Sequence, residues 1–272
     1  METALREPVL MTDQISAPMR IAFFGDSLTS GIPGSSYLSI MRHRLPEHTL
    51  INLGRGNDTA VSLHRRVAAM RFNAPFDLAF LWVGVNDVYG HTHRVHRSFN
   101  ALMGQRRARD LDEFRASYRA TLDLLCQHTG RLVAVSPLMR GEEPDNHWNR
   151  RLAVLSGAVE ELASQYERVE FLDLRSAFFQ VLADLPSSGY MPRGPVHVVL
   201  DALTLRSDEQ VDRVAARRGL RFTLDGVHLN SAGARLAAAA FVRVIEMQGP
   251  RLQSVPYRTG DNGNRSSAAG EG

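Results

Sequence analysis

The sequence predicts an α/β protein, a three-layer α/β/α sandwich on a five-stranded parallel sheet, and three observations carry that prediction. Short apolar runs rich in β-branched and aromatic residues alternate with longer stretches whose apolar residues recur every three to four positions, as in strands joined by crossover helices. The runs are apolar at most consecutive positions, as strands covered on both faces require. The 272 residues and 44% hydrophobic fraction suit one large core, because a chain of this length buries roughly 70 to 75% of the surface its extended form exposes.

The expected strands are residues 20–24, 49–53, 77–83, 131–135 and 169–173. After the first, Leu28, Thr29, Ser30 and Gly31 can turn into a helix whose first amides point back along the chain. Asn57 or Asp58 can cap a second helix running to about Arg71. Asp110 precedes Leu111, Phe114, Tyr118, Leu122 and Leu125, and Asp145 precedes Trp148, Leu152, Leu155, Val159, Leu162 and Tyr166, both with helical spacing. A last helix, capped by Asn230 or Ser231, turns Leu236, Phe241, Val244 and Ile245 inward.

Two segments interrupt the alternation. Residues 89–109 are rich in Arg and His and read as a loop. Residues 185–222 open with Pro186-Ser187-Ser188-Gly189, continue through an apolar run at 196–205, and end in a short helix with a Ser207-to-Gln210 capping box and Gly219 as its stop. Lying just ahead of an Asp-His pair, this insertion either shapes a substrate pocket or packs peripherally. The expected organisation is an N-terminal extension at 1–19, one domain at 20–248, and a polar, Gly/Ser-rich, disordered tail at 249–272.

Composition removes several classes. The single cysteine, Cys126, allows no intrachain disulfide and no cysteine-based zinc site, and it sits in an apolar repeat as a small hydrophobe. No apolar run reaches the roughly 18 residues of a membrane span, and the acidic start, with Glu2, Glu7 and Asp13, lacks a signal peptide's apolar stretch. A cytoplasmic protein with no integral membrane association is therefore expected. Every one of the 32 basic side chains is arginine, yet the densest group, Arg94, Arg97, Arg106, Arg107 and Arg109, lacks interleaved aromatics and predicts no nucleic-acid binding.

Chemistry concentrates in two places. Gly25-Asp26-Ser27-Leu28 follows the first strand, so Ser27 falls at the carboxyl edge of the sheet, where open α/β folds place ligands. Far downstream, Asp225-Gly226-Val227-His228 offers a carboxylate and an imidazole three positions apart. A serine hydroxyl becomes a competent nucleophile when a histidine takes its proton, and a carboxylate fixes that histidine's tautomer. The local pattern is not the G-x-S-x-G elbow, because Thr29 occupies the second glycine position.

Four blocks in order make a resemblance specific. Gly25-Asp26-Ser27-Leu28, Asn52-Leu53-Gly54-Arg55-Gly56, Gly84-Val85-Asn86-Asp87 and Asp225-Gly226-Val227-His228 resemble those of the GDSL, or SGNH, hydrolase family, over roughly residues 20–247. The resemblance implies a flavodoxin-like strand order. It also implies an esterase with Ser27 as nucleophile, His228 as base and acid, Asp225 as its partner, and an oxyanion hole from the Ser27 and Gly54 amides and the Asn86 side chain. A small-molecule ester would be the substrate, with no cofactor and no metal.

Other residues weigh less. Asp26 and Asp87 are expected to fix loops; Arg55 either faces the pocket rim or solvent. His91, His93 and His96 form a string without a carboxylate or cysteine partner, a weak metal signal. His43, His48, His64, His128, His147 and His197 read as surface or packing residues. Acyl transfer to an alcohol would use the same triad, while a flavodoxin-like phosphate-binding module would leave Asn86, Asp225 and His228 unexplained.

Overall fold

In the computed structural model, which describes residues 17–88, 106–186, 188–191 and 195–252, five strands run parallel. They are β1 (Arg20–Gly25), β2 (Thr49–Gly54), β3 (Phe76–Trp82), β4 (Thr129–Val135) and β5 (Val169–Leu172), in the order β2-β1-β3-β4-β5. This is the flavodoxin-like order, whose direction reverses at β1 and opens a crevice above that strand's end. Among the described residues the helices are α1 (Ser27–Ser30), α2 (Tyr37–Arg44), α3 (Ala60–Ala68), α4 (Leu111–Cys126), α5 (His147–Ala163), α6 (Leu174–Leu182), α7 (Pro195–Thr204), α8 (Asp208–Arg217) and α9 (Ser231–Leu252).

The alternation of side chains along each strand builds two cores. Ile21, Phe23, Leu78, Phe80, Trp82, Val133 and Val135 face α2, α6 and α9. Ala22, Phe24, Ala79, Leu81, Leu132 and Ala134 face α3, α4 and α5. Phe23 stacks on Phe80 with centroids 5.0 Å apart, and Phe241 of α9 meets Phe80 edge-on, also at 5.0 Å. Edge strand β2 is more exposed than β1 or β3 because only one side of it is paired.

Several boundaries differ from expectation. Thr59, not Asn57 or Asp58, caps α3, in a capping box with Ser62, and the helix ends at Ala68. Asn57 stands in the left-handed region, and the Asp58 carboxylate is committed to Arg66 and Ser62. Asn146 rather than Asp145 caps α5, accepting from the Trp148 and Asn149 amides. Asp173 leaves the last strand to cap α6, a helix not assigned from sequence, as α2 was not. The apolar run at 196–205 is helix α7, and in α8 Gln210 Oε1 accepts from Arg206 N instead of from the capping residue itself. Helix α9 runs to Leu252, past the point where the tail was expected. Most of the 89–109 loop, the remaining tail and residues 1–16 lie outside the described residues. Among the described residues no helix is long and apolar enough to cross a membrane.

Candidate active site

Strand β1 ends at Gly25, and Asp26 caps the single turn of α1 by accepting from Leu28 N at 3.0 Å. Ser27 is thus the first helical residue, and the turn closes when Gly31, in the left-handed conformation, donates to Ser27 O. The Asp-His pair comes from the connection between α8 and α9. There Thr223 pairs with Leu229 in an antiparallel bridge, Leu224 N donates to His228 O at 2.6 Å, and Gly226 takes a φ of 87°. A side chain there would be strained, which explains glycine inside the Asp-His block.

These two loops meet across 201 residues of sequence: Ser27 Oγ lies 2.9 Å from His228 Nε2. His228 Nδ1 lies 2.8 Å from Asp225 Oδ2, and Asp225 Oδ1 accepts from the Val227 and His228 amides at 3.1 and 2.9 Å. The carboxylate is locked on both oxygens. Ser27 is 5% exposed, His228 8% and Asp225 1%, so the whole chain of bonds is shielded from bulk water. Burial opposes charge on both partners, but the Asp225 carboxylate, through its charge and hydrogen bond, holds the His228 imidazole above its ordinary pKa. In return His228 and the two amides hold Asp225 below the usual carboxylate range despite its burial.

Asn86, in the turn after β3, donates from Nδ2 to Asp58 O at 3.0 Å, with Asp26 Oδ2 at 3.5 Å. Its amide is therefore oriented beside the residue that precedes the nucleophile. Asp87 receives the Ala60 amide and ties this turn to the start of α3. Burial raises both Asp26 and Asp87 to about 7, with the Leu28 and Ala60 amides partly offsetting it.

Gly54, expected to lend its amide to the oxyanion hole, donates its N–H to Asn52 Oδ1 at 2.9 Å. Its lack of a side chain also serves packing, since a Cβ would collide with the backbone of Thr29 and Ser30 in α1. Arg55 is exposed, and its amide donates to Gly25 O.

His91, His93 and His96 lie outside the described residues, as do Arg94 and Arg97. Among the described residues no cluster of three or more His, Cys, Asp or Glu is placed to hold a metal. His128 stacks on Phe72, His48 accepts from Met19 N, and burial pushes the Cys126 thiol up, away from its thiolate form. Ala202 of α7, Val211 of α8 and Leu205 between them line a cavity of about 450 Å³ together with Ile32 and Gly34. Gly34 packs against the carbonyl of Leu229, the residue after His228.

Sequence reasoning missed Glu142 and Arg140, and it gave Asp58 only a capping role, not its carbonyl contact to Asn86. Glu142 is buried and accepts from the backbone of residues 221–223. Arg140 stacks on Trp148 at 4.5 Å; burial lowers its pKa to about 9, and the nearby Asp225 charge works the other way. The available signal was positional: Arg140-Gly141-Glu142-Glu143 is a charged run just beyond the carboxyl end of a buried strand.

A model of the GDSL-like lipase/acylhydrolase family matches residues 23–236. No curated protein matches the chain. Among solved structures, Axe2, an acetylxylan esterase from Geobacillus stearothermophilus, is 20% identical, with a TM-score of 0.58 over 85% of this chain and 96% of its own. The acetyl xylan esterase AlAXEase is 21% identical, with a TM-score of 0.57 over 84% of this chain and 100% of its own. LAE5, an alpha/beta hydrolase enzyme from the metagenome of Lake Arreo, is 17% identical, with a TM-score of 0.59 over 85% and 96%. At these identities the likeness is one of fold. Catalytic mutants of Axe2 replace a serine, an aspartate and a histidine by alanine, the last two three positions apart.

Proposed function

The chain belongs to the GDSL-like lipase/acylhydrolase family, and from that premise we propose that it cleaves carboxylic esters through an acyl-enzyme formed on Ser27. The observation that carries this reading is the unbroken path Ser27 Oγ, His228 Nε2, His228 Nδ1, Asp225 Oδ2, with links of 2.9 and 2.8 Å. The serine, aspartate and histidine altered in the catalytic mutants of Axe2 are of the same three types, and the last two have the same spacing.

In the proposed mechanism His228 takes the Ser27 proton as the oxygen attacks the ester carbonyl. The tetrahedral oxyanion is met by the Ser27 amide, by Asn86 Nδ2 as its long 3.5 Å contact to Asp26 Oδ2 gives way while Asp58 O keeps the amide oriented, and by Gly54 N once it leaves Asn52 Oδ1. His228 then protonates the leaving alcohol and activates water, which releases the acid and restores the serine. Asp225 stabilises the imidazolium that forms and fixes its tautomer. Acetyl esters are the first substrates to try, because two of the structural neighbours are acetylxylan esterases.

Ser27→Ala should abolish p-nitrophenyl acetate hydrolysis and fluorophosphonate labelling while leaving circular dichroism unchanged. Labelling that persists in the folded variant would overturn the assignment.

A further inference from the structure

In a site that is 2% exposed, Glu142 accepts hydrogen bonds from four donors on three consecutive residues. Its Oε2 accepts from Arg221 N at 2.7 Å; its Oε1 accepts from Phe222 N at 2.7 Å, Thr223 N at 2.8 Å and Thr223 Oγ1 at 2.8 Å. Resting on the triad reading above, we propose that Glu142 is a positioning residue, which sets the Asp225–His228 turn at the height where the imidazole meets Ser27.

The path from clamp to imidazole is short. Thr223 Oγ1, held by Glu142, accepts from Gly226 N at 3.1 Å inside the Asp-His turn. The returning limb hangs on the clamped one through Leu224 N to His228 O at 2.6 Å and Asn230 N to Phe222 O at 3.1 Å. One residue before Glu142, Gly141 N donates to Gly226 O at 2.6 Å, so the loop after β4 grips the turn at two points. That loop is itself tied to α5, because Asn149 accepts from Arg140 N and donates to Gly141 O. The nucleophile and the histidine are delivered by different loops, and this grip fixes the second relative to the sheet that carries the first.

The chemistry calls for a carboxylate. Each of these four groups is a donor, and an ionised carboxylate is acceptor-only on both oxygens. Hydrogen bonds to an ion are about twice as strong as neutral ones. A glutamine of the same shape would turn an N–H towards a backbone N–H at one of the two oxygen positions. The turn would then shift, and a displacement of about 1 Å at a catalytic group costs on the order of 100-fold.

The test is Glu142→Gln, with kcat and KM for p-nitrophenyl acetate expressed per serine titrated to completion by a fluorophosphonate, so that unfolded molecules are not counted. Per-site kcat should fall about 10- to 100-fold, with KM within about twofold, and added imidazole should restore part of the rate, as it should in His228→Ala. A per-site kcat equal to wild type, with only the melting temperature lowered, would make Glu142 purely structural and overturn the proposal; so would a loss confined to KM. Should Glu142→Gln fail to fold, Thr223→Val removes the link to Gly226 but keeps the three amide bonds. A smaller loss of per-site kcat, again answered by imidazole, is expected there, and wild-type kcat would equally overturn the idea. Activity surviving in Ser27→Ala would instead refute the triad reading itself.

Discussion

His228 titrates between two opposed influences, burial and the Asp225 carboxylate, and the carboxylate wins. The imidazole must be neutral to act as base, so kcat/KM should fall as pH drops through a point above the ordinary histidine value of about 6.5. In Asp225→Asn the largest opposing influence is gone, and burial remains against only the weaker pull of Asp26 and Asp201. The acid limb should then move below 6.5, and kcat should drop on the order of 10,000-fold as the tautomer is lost. A pH-rate profile of both proteins checks this, and an unmoved limb would show that the carboxylate does not govern the imidazole. That Ser27, Asp225 and His228 belong together as a candidate triad was legible in sequence, because their types and spacing suit the proposed chemistry. Glu142 was not, because its partners lie 79 to 81 positions away and nothing local marks them.

Helix α1 and strand β2 touch where Gly54 lies against Thr29 and Ser30, and this contact sets the attitude of the nucleophile's turn. Gly54→Ala separates two roles. An alanine keeps the backbone N–H, so a glycine needed only as an amide donor would tolerate it. Its Cβ, however, meets backbone that cannot swing aside. The expected result is a loss of kcat of about 100-fold with destabilisation of about 1 to 3 kcal/mol, read by steady-state kinetics and urea unfolding. Near-wild-type turnover would refute the packing role. Elements with strong local signals, such as α4 behind its Asp110 cap, appear as expected. Helices α2 and α6, eight and nine residues long, were missed because little more than two turns hold too few apolar positions to establish a period.

The molecule is closed by α9, which covers the face of β1 and β3 and begins three residues after His228. Phe241 is its anchor, with ring centroids 4.9 to 6.1 Å from Tyr37, Phe80, Trp82 and Phe23. Docking this helix on the sheet delivers the preceding histidine to the serine, so core packing and catalytic geometry are coupled. Phe241→Ala should cost about 3 to 5 kcal/mol in urea unfolding. A cost below about 1 kcal/mol would mean that α9 is not integral to the core.

By itself the sequence determined the α/β class and the five strands, and it marked Ser27, His228 and Asp225 as the candidate nucleophile, imidazole and carboxylate, because hydrophobic period and reactive residue type are local properties. Tertiary structure alone decided that Gly54 spends its amide on Asn52 and its missing side chain on α1. It alone decided that Asn86 is aimed by the Asp58 carbonyl, and that Glu142 grips the turn carrying His228. Those are relations between loops brought together by the sheet. A hydrogen bond's partner is fixed by where the fold sets two atoms, which no stretch of residues specifies alone.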